Sequence, residues 1–165
     1  MIEPMRAGGP VLAGLWLAAL LLAGCRERPP AALQVGQAVP ALALEALAGG
    51  TLDSASWRGR TVVLNLWVTW CLPCREEMPA LQRLSRSLAP AQVTVVGLAL
   101  DTDRNLVREF ALQFGITFSL AIDPEGRTAR RTLGAWALPD TLIIAPDGRL
   151  ADRVLGRAEW DAEPL

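Results

Sequence analysis

Two cysteines separated by two residues form the motif Trp70-Cys71-Leu72-Pro73-Cys74 near the middle of the chain. Disulfide exchange requires a thiolate that attacks and a second thiol close enough to resolve the mixed disulfide. Two intervening residues meet that need at the start of a helix, where unpaired backbone N–H groups and the helix dipole favour an anionic sulfur. The motif predicts a dithiol/disulfide redox centre, with Cys71 as nucleophile and Cys74 as resolving thiol.

The residues around the pair predict where it lies in the fold. An apolar run, residues 61–67, precedes it and is typical of a strand that is buried on both faces. An amphipathic, helix-like stretch from Arg75 to Leu88 follows, and Pro79 should kink it. Pro73 suits a first helical position because its missing N–H costs nothing there, and Trp70 is expected to shield one side of the pair. The pair is therefore predicted at a strand-to-helix junction.

Two other uses of such a pair are weaker alternatives. A structural disulfide that closes a two-residue loop gains little from loop-closure entropy. A zinc site usually takes four ligands, and this chain has no histidine and only one further cysteine, Cys25, far upstream. The sequence accordingly predicts no metal and no cofactor.

The first 24 residues have the pattern of an export signal. Arg6 supplies a positive charge, and residues 11–24 are uncharged and consist mostly of leucine and alanine. A helix of that length spans roughly 21 Å, which is short of a hydrocarbon core of about 30 Å. We therefore expect a signal peptide over residues 1–24, with an uncleaved anchor as the alternative.

Residues 22–25, Leu-Ala-Gly-Cys, resemble the lipobox of bacterial lipoproteins. Cys25 would then be the acylated first residue of the mature chain, which leaves the other two cysteines for redox chemistry. Residues 25–33 are interpreted as the lipidated cysteine and a short tether, and residues 34–165 as one domain. This organisation predicts an extracytoplasmic domain that is lipid-anchored on the periplasmic side of a bacterial membrane.

Composition excludes one broad class of function. The chain has 16 basic and 17 acidic residues, a net charge of −1 and no basic block. The electrostatic footprint of nucleic acid binding is therefore missing. The sequence has no internal repeat and indicates one domain, which we expect to be a monomer.

The remaining sequence indicates an α/β sheet with mixed strand directions. We expect a hairpin of residues 41–45 and 51–52, a turn or short helix at 54–58, strands at 93–100 and 117–122, helices at 104–114 and 128–133, and a second hairpin of 141–145 and 149–155. Leu106, Phe110 and Phe114 fall on one stripe of their helix, and the aromatic pair is expected in the core. A last helical turn should begin at Glu159-Trp160, where the final helix looks truncated.

Two stretches of the chain resemble the thioredoxin superfamily, and specifically its TlpA/ResA-type (CcmG/DsbE-like) extracytoplasmic thiol-disulfide oxidoreductases. They are residues 62–79, which contain the cysteine pair, and residues 134–144. The resemblance covers about residues 33–160. It implies a thioredoxin-like fold, with a central mixed β-sheet of four to five core strands, flanking helices and an N-terminal β-hairpin.

The resemblance also implies roles for residues outside the pair. Pro139 would be a cis-proline that faces the disulfide, and the Leu138 backbone would pair with a bound peptide like an added strand. A trans proline in a turn before a strand is the alternative. The implied substrate groove comprises both residues together with Trp70, Leu72, Pro73 and Asp140.

Two acidic residues match the family pattern near the sulfurs. Glu77 would take or return the proton of Cys74 during exchange, unless it is a solvated residue of the helix face. Asp140 resembles an acidic residue of the cytochrome c maturation branch, or it simply begins a strand. The cytoplasmic thioredoxin pattern has an aspartate six residues before the first cysteine, where this chain has Asn65, which cannot act as a base. We expect any proton relay to run through Glu77, water or Asp140.

The motif and the resemblance together predict an enzyme, a protein thiol-disulfide oxidoreductase that acts as a disulfide reductase on exported proteins. An oxidising compartment would trap it as a disulfide unless a partner re-reduces it, and the resemblance suggests a CcdA/DsbD-like membrane electron donor. Apocytochrome c, in cytochrome c maturation, and copper-assembly proteins are candidate substrates.

Two other functions on the same fold stay open. A peroxiredoxin-like peroxidase needs a threonine three residues before its cysteine, whereas Thr69 stands two before Cys71, and the upstream proline is absent. A copper-assembly binding factor would use the thiols as ligands, but its relatives pair their cysteines with a histidine that this chain lacks.

Overall fold

A computed structural model describes residues 31–87 and 92–160 of the chain. Its strands are β1 (Ala43–Ala46), β2 (Thr51–Asp53), β3 (Thr61–Trp67), β4 (Val93–Ala99), β5 (Ser119–Ile122), β6 (Asp140–Ile144) and β7 (Leu150–Leu155). Its helices are α1 (Leu72–Ser87) and α2 (Arg104–Phe114), with a short 3-10 helix (Ser54–Trp57) and a π-helix (Arg127–Thr132). The predicted signal peptide and Cys25 lie outside these residues. Within them, no helix combines the length and apolar character that crossing a bilayer requires.

All seven strands form one sheet, in the order β2-β1-β5-β4-β3-β6-β7. β3, β4 and β5 run parallel, and β6 and β7 continue the sheet in antiparallel pairing beyond β3. The hairpin of β1 and β2 extends the opposite edge because β1 pairs with β5. The predicted thioredoxin-like α/β fold, with a mixed sheet and an N-terminal hairpin, is confirmed.

β3 lies at the centre of the sheet and separates two hydrophobic clusters. Leu64 and Leu66 belong to one cluster, whereas Val63 and Trp67 belong to the other, together with both cysteines. A strand that is covered on both faces needs apolar side chains at nearly every position, which explains the continuous apolar run. Asn65 is the polar exception, and it is fully buried on the face that α1 covers.

α1 begins at Leu72, earlier than the predicted Arg75. Pro73 is therefore the second helical residue and not the first. The prediction differed by three residues because Leu72, Pro73 and Cys74 of the cysteine motif are already part of the helix. The first four N–H groups of any helix lack partners within it, so proline still costs no hydrogen bond here. Pro79 lies inside the helix, as its sequence position required.

α2 contacts the core through a stripe that differs from the predicted one. Leu106 is exposed, whereas Val107 and Phe110 are buried and Phe114 is half-buried. The Phe110 ring lies 4.9 Å from that of Trp67 and 4.2 Å from that of Phe114, measured between centroids. The prediction was wrong at Leu106 because the two aromatic rings set the rotation of the helix, and position 107 then faces the sheet.

One of the two helical segments predicted near the end of the chain has a different form. The segment expected at 128–133 is a π-helix over Arg127–Thr132, at whose start the Asp123 carboxylate accepts a hydrogen bond from the Ala129 N–H at 2.9 Å. The last helical turn predicted from Glu159-Trp160 onward falls largely outside the described residues, which end at Trp160. The Ala158 N–H and the Trp160 indole N–H both donate to a side chain of α1, as shown below.

The residues before β1 lie against the far edge of the sheet. Gly36 N–H donates to the Leu150 carbonyl at 2.7 Å, and Leu33 is half-buried against the core. Gly134 has a φ of +64°, and a Cβ there would lie 2.5 Å from the Cα of Ala32. The last residues of the predicted tether, 31–33, are therefore packed on the domain.

Candidate redox site

Cys71 and Cys74 form a disulfide at the N-terminus of α1, with their Cα atoms 5.3 Å apart. Cys71 is half-buried, whereas Cys74 is completely buried. The Cys74 N–H donates to Cys71 Sγ at 3.3 Å. This donor, together with the helix N-terminus, stabilises a thiolate on Cys71 when the disulfide opens. The more accessible sulfur is thus the one that the helix start activates.

The loop between β3 and α1 is held by a buried carboxylate. Asp101, which follows β4, accepts hydrogen bonds from the Thr69 N–H at 3.0 Å and from the Thr69 hydroxyl at 2.6 Å. Cys71 N–H donates to the Val68 carbonyl at 3.2 Å. Sequence reasoning missed Asp101. The sequence does contain a signal for it. An acidic residue that follows a buried parallel strand lies at the same edge of the sheet as the end of β3, and therefore close to the loop that begins there.

The Leu138–Pro139 peptide bond is cis, as the family resemblance implied. Pro139 is buried, and its carbonyl accepts a hydrogen bond from Gly156 N–H at 2.8 Å. Leu138 packs against both hydrophobic clusters. Across the described part of the chain, neither its N–H nor its carbonyl has a hydrogen-bond partner. This backbone unit is therefore open to an incoming strand.

A groove runs along the disulfide, between the start of α1 and the segment before β6. Its lining includes Trp70, Cys71, Leu72, Pro73, Trp136 and Leu138. Trp70 is 77% exposed and Trp136 is 61% exposed, so both form open walls of the groove, and shielding of the pair by Trp70 stays a prediction. Among the described residues, Arg130 is the one charged side chain in the lining. Trp136 was not among the predicted groove residues, although it lies within the matching 134–144 run.

Glu77 lies one helical turn after Cys74 and is 1% exposed. Its Oε1 accepts a hydrogen bond from Asn65 Nδ2 at 2.7 Å. Its Oε2 accepts one from Trp160 Nε1 at 3.1 Å and one from Ala158 N–H at 3.2 Å. Burial raises the pKa of Glu77, while these hydrogen bonds and the charge of Arg157 oppose the rise.

Glu76, the acidic residue directly before Glu77, differs from it in exposure. Glu76 is exposed and forms an ion pair with Arg157 at 3.3 Å. Glu77 is therefore not the solvated helix-face residue that the sequence left as an alternative, and Glu76 has that place. A buried carboxyl group with a raised pKa, one turn from a buried thiol on the same helix, holds its proton to a higher pH than an exposed glutamate does.

Asn65 connects this carboxylate to β6. Its Nδ2 also donates to Thr141 Oγ1 at 2.9 Å, and the two residues are register partners across β3 and β6. Asn65 Oδ1, by contrast, has no hydrogen-bond partner among the described residues. Thr141 was missed by sequence reasoning, since nothing local distinguishes it from other threonines in strands.

Asp140 lies on the other face of β6 from this group. Arg153 Nε donates to its Oδ1 at 2.9 Å, and Arg153 Nη2 donates to its Oδ2 at 2.5 Å. The structure thus brings Glu77, Asn65 and Thr141 together and separates Asp140 from them. Within the described ranges, no three histidine, cysteine or acidic side chains lie close enough to hold a metal ion.

A cysteine pair that opens the helix after a central parallel strand, together with a cis-proline before an antiparallel strand, defines the thioredoxin-like class of dithiol proteins. The sequence profile of the AhpC/TSA family matches residues 35–153, and the chain belongs to this family.

Similar proteins share the class. The chain is 38% identical to the thioredoxin-like protein YneN of Bacillus subtilis over 96 residues, which are 57% of this chain and 56% of that protein. It is 33% identical to the thiol-disulfide oxidoreductase ResA of Bacillus thuringiensis over 91 residues, or 55% and 53% of the two chains. The chain thus spans little more than half the length of these relatives.

A solved structure from Chlorobium tepidum, assigned as a thiol:disulfide interchange protein DsbE, superposes with a TM-score of 0.72 at 27% identity. The match covers 77% of this chain and 89% of that one.

Proposed function

We propose that this protein is a thiol-disulfide oxidoreductase that reduces disulfides in exported proteins. The observation that carries the proposal is the asymmetry of the cysteine pair. Cys71 is accessible at a helix N-terminus beside a groove, and Cys74 is buried directly behind it. The similarity to ResA and to the DsbE-type protein supports the same chemistry.

The reaction transfers two electrons through one covalent intermediate. The Cys71 thiolate attacks a substrate disulfide, forms a mixed disulfide and releases the first substrate sulfur as a thiolate. Cys74 then loses its proton and attacks Cys71 Sγ, which closes the protein disulfide and releases the second substrate sulfur. The substrate disulfide is reduced, and the protein dithiol is oxidised.

Glu77 is the acceptor we assign to the Cys74 proton. Both side chains are buried and lie one turn apart on α1, where bulk water does not reach them. Burial raises the pKa of this carboxyl group toward that of a thiol, which favours proton exchange between the two groups. Asp140 has no part in this step, since its carboxylate is paired with Arg153 on the other face of β6.

The groove beside the disulfide is the proposed substrate site. An extended segment of the substrate pairs with the free Leu138 N–H and carbonyl as an added strand. Leu72 and Pro73 line the groove and fix the position of that segment against the disulfide, and Trp70 contributes an apolar wall. Pro139 lies behind the lining and acts through its cis bond to Leu138.

The setting we propose is extracytoplasmic. The leader-like residues 1–24 and Cys25 support export and lipid anchoring on the periplasmic side of a bacterial membrane. In that compartment, a CcdA/DsbD-like membrane donor would return the electrons. Cytochrome c maturation is the process to which the similarity to ResA and DsbE points.

Single cysteine variants test the proposal. Cys74→Ser should accumulate a mixed disulfide with a disulfide-containing substrate protein, because the resolving thiol is lost while Cys71 still attacks. Cys71→Ser should form no such adduct and should not reduce the substrate. Full reductase activity of Cys71→Ser would refute the assignment. A redox titration of the full chain against glutathione then gives the direction, and a potential well below the glutathione range supports a reductase.

The two alternative functions have direct assays. A peroxidase would consume hydrogen peroxide with a thiol donor, but the Thr69 hydroxyl donates to Asp101 and is not free to bind peroxide. A copper-assembly factor would bind copper tightly and stoichiometrically when reduced. We expect neither result.

A further inference from the structure

We propose that Asn65 is a positioning residue whose side-chain amide turns over when Glu77 gains a proton, so that the same contacts hold both protonation states of the carboxyl group. The inference deepens the proposed function and rests on it for the role of Glu77 in exchange. The turnover of the amide itself requires only that Glu77 titrates.

The proton on Glu77 must lie on Oε1. Its other oxygen, Oε2, already faces two N–H groups, those of Ala158 and Trp160. A backbone amide and an indole nitrogen donate hydrogen bonds and cannot accept them. A hydroxyl at Oε2 would therefore have lone pairs for these donors but no acceptor for its own proton, whereas Oε1 has a neighbour that can change.

That neighbour is the Asn65 amide. In the ionised state, its Nδ2 donates to Glu77 Oε1 at 2.7 Å. When Oε1 carries a proton, two donors face each other and the hydrogen bond is lost. Half a turn about the last side-chain torsion of Asn65 replaces Nδ2 by Oδ1, which accepts the new O–H. The amide oxygen and nitrogen have nearly the same size, so this turn needs no extra space.

Thr141 makes the turn possible at the second contact. Its hydroxyl accepts from Asn65 Nδ2 at 2.9 Å in the ionised state. A hydroxyl both accepts and donates, so after the turn it can donate to Oδ1. Asn65 Oδ1 is the end of the amide that has no partner among the described residues. In either orientation the end of the amide that faces Glu77 and Thr141 makes two hydrogen bonds.

Few charged groups lie near the Glu77 carboxyl group and influence its protonation. Arg157 acts on Glu77 from the segment after β7, and it is also paired with Glu76 and with Glu159. On α1 the residue one turn before Glu77 is Cys74, which the disulfide keeps uncharged, while β3 and β6 present the uncharged Asn65 and Thr141. An aspartate in place of Asn65 would add a second carboxylate here, and an apolar residue would remove the Oε1 contact in both states.

Heteronuclear NMR of the full chain tests the inference without any variant. Across a pH titration, the Glu77 side-chain carboxyl carbon reports its ionisation, and the Asn65 Nδ2 proton and nitrogen resonances report the amide. We expect the Asn65 resonances to move with the same midpoint as the Glu77 carboxyl carbon. Asn65 resonances that stay constant while Glu77 titrates would overturn the proposal.

The Glu77→Gln variant provides a second, independent measurement. The glutamine oxygen can accept from Ala158 and Trp160, which leaves its NH2 group facing Asn65, as the protonated acid does. The Asn65 resonances of this variant should be independent of pH and should match the low-pH limit of the parent protein. A match to the high-pH limit would contradict the turnover.

Exchange kinetics separate this inference from the proposed function. Asn65→Leu should shift the midpoint of the pH profile of disulfide exchange upward, because the hydrogen bond it removes from ionised Glu77 is charge-assisted and stronger than the one it removes from the protonated acid. Thr141→Ser, which keeps the hydroxyl, should retain the parent profile. If Asn65 turns over but Glu77→Gln leaves exchange unchanged, the proton role of Glu77 fails and the inference about Asn65 stands. If Glu77→Gln loses exchange while the Asn65 resonances of the parent protein stay constant, the proton role of Glu77 stands and the inference about Asn65 fails.

Discussion

Arg153 on β7 forms a two-point ion pair with Asp140 on β6, through Nε at 2.9 Å and Nη2 at 2.5 Å. The guanidinium also donates to the carbonyl oxygens of Leu133 at 3.0 Å and Gly134 at 3.2 Å. Asp140 directly follows Pro139. Arg153 therefore ties the segment that carries the cis-proline to the edge of the sheet. This arginine lies far from the two cysteines in sequence.

Replacing Arg153 by alanine should destabilise the protein strongly. The change leaves the fully buried Asp140 carboxylate without its cation, and such losses cost about 3–5 kcal/mol. Urea unfolding of the oxidised protein measures this loss of unfolding free energy. Arg127→Ala is the matched control, since Arg127 and Glu125 form an exposed pair for which we expect about 0–1 kcal/mol. Equal losses in the two variants would contradict a structural role for the Asp140 pair.

The stability of the protein should depend on pH through Glu77. Its pKa is raised by burial above the ordinary value of 4.5, so the folded chain binds this proton more tightly than the unfolded chain. The contribution to stability is complete below 4.5 and is lost as the pH rises through the folded-state pKa. A tenfold difference in proton affinity corresponds to about 1.4 kcal/mol.

Glu77→Gln removes that titration. Relative to the parent protein, the variant should therefore gain stability as the pH rises through this window, and the difference should become constant above it. Urea unfolding at closely spaced pH values measures both proteins. Parallel stability curves would show that Glu77 has the same proton affinity in the folded and unfolded chains.

Asp101 should control the loop that presents Cys71. Asp101→Ala removes the acceptor of both the Thr69 N–H and the Thr69 hydroxyl, and unpaired buried groups cost about 1–3 kcal/mol each. We expect lower stability together with slower disulfide exchange. Thr69→Val, which removes only the hydroxyl contact, should have the smaller effect on both. Normal exchange in Asp101→Ala would show that the loop needs no such support.

Trp136 should affect substrate binding and leave the redox chemistry unchanged. It lines the groove and is 61% exposed, so Trp136→Ala should raise the KM for a protein substrate several-fold, with an unaltered reduction potential. Leu112→Ala is the control, because Leu112 is a similarly exposed apolar residue of α2 that is not in the groove lining. An unchanged KM for Trp136→Ala would show that Trp136 is not part of the substrate site.

The two thiols of the reduced protein should react at different rates. Cys71 is accessible, and its sulfur accepts a hydrogen bond from the Cys74 N–H, whereas Cys74 is completely buried. Limiting iodoacetamide, followed by peptide mass spectrometry, should label Cys71 with at least about a tenfold preference. Equal labelling would contradict the assigned order of attack.

The parts of the fold that could be predicted are those with local signals. The continuous apolar run of β3 required a strand buried on both faces, and the cysteine spacing placed the pair at a helix start. The turn glycines at 49–50 and 148 marked the two hairpins. Each signal is carried by neighbouring residues, and therefore needs no knowledge of the tertiary structure.

The parts that could not be predicted depend on residues far apart in the chain. Glu77 contacts Trp160, which lies 83 positions later, and Asn65 contacts Thr141, which lies 76 positions later. Asp140 and Thr141 are adjacent, and only the orientation of β6 decides which of them faces Asn65. Local patterns could identify candidate acids but could not tell which of them shares a face with the sulfurs.

The pairing of β3 with β4 and β6 has a consequence for how the site is made during folding. Successive side chains of a strand point to opposite faces, so a slip of one residue would exchange the two faces of β3. Leu64 and Leu66 would then meet Glu77, and Asn65 would be buried in the other cluster. A misaligned molecule would lose the hydrogen bonds around Glu77 along with its core, so correct strand alignment and the assembly of this buried polar group are acquired in the same step.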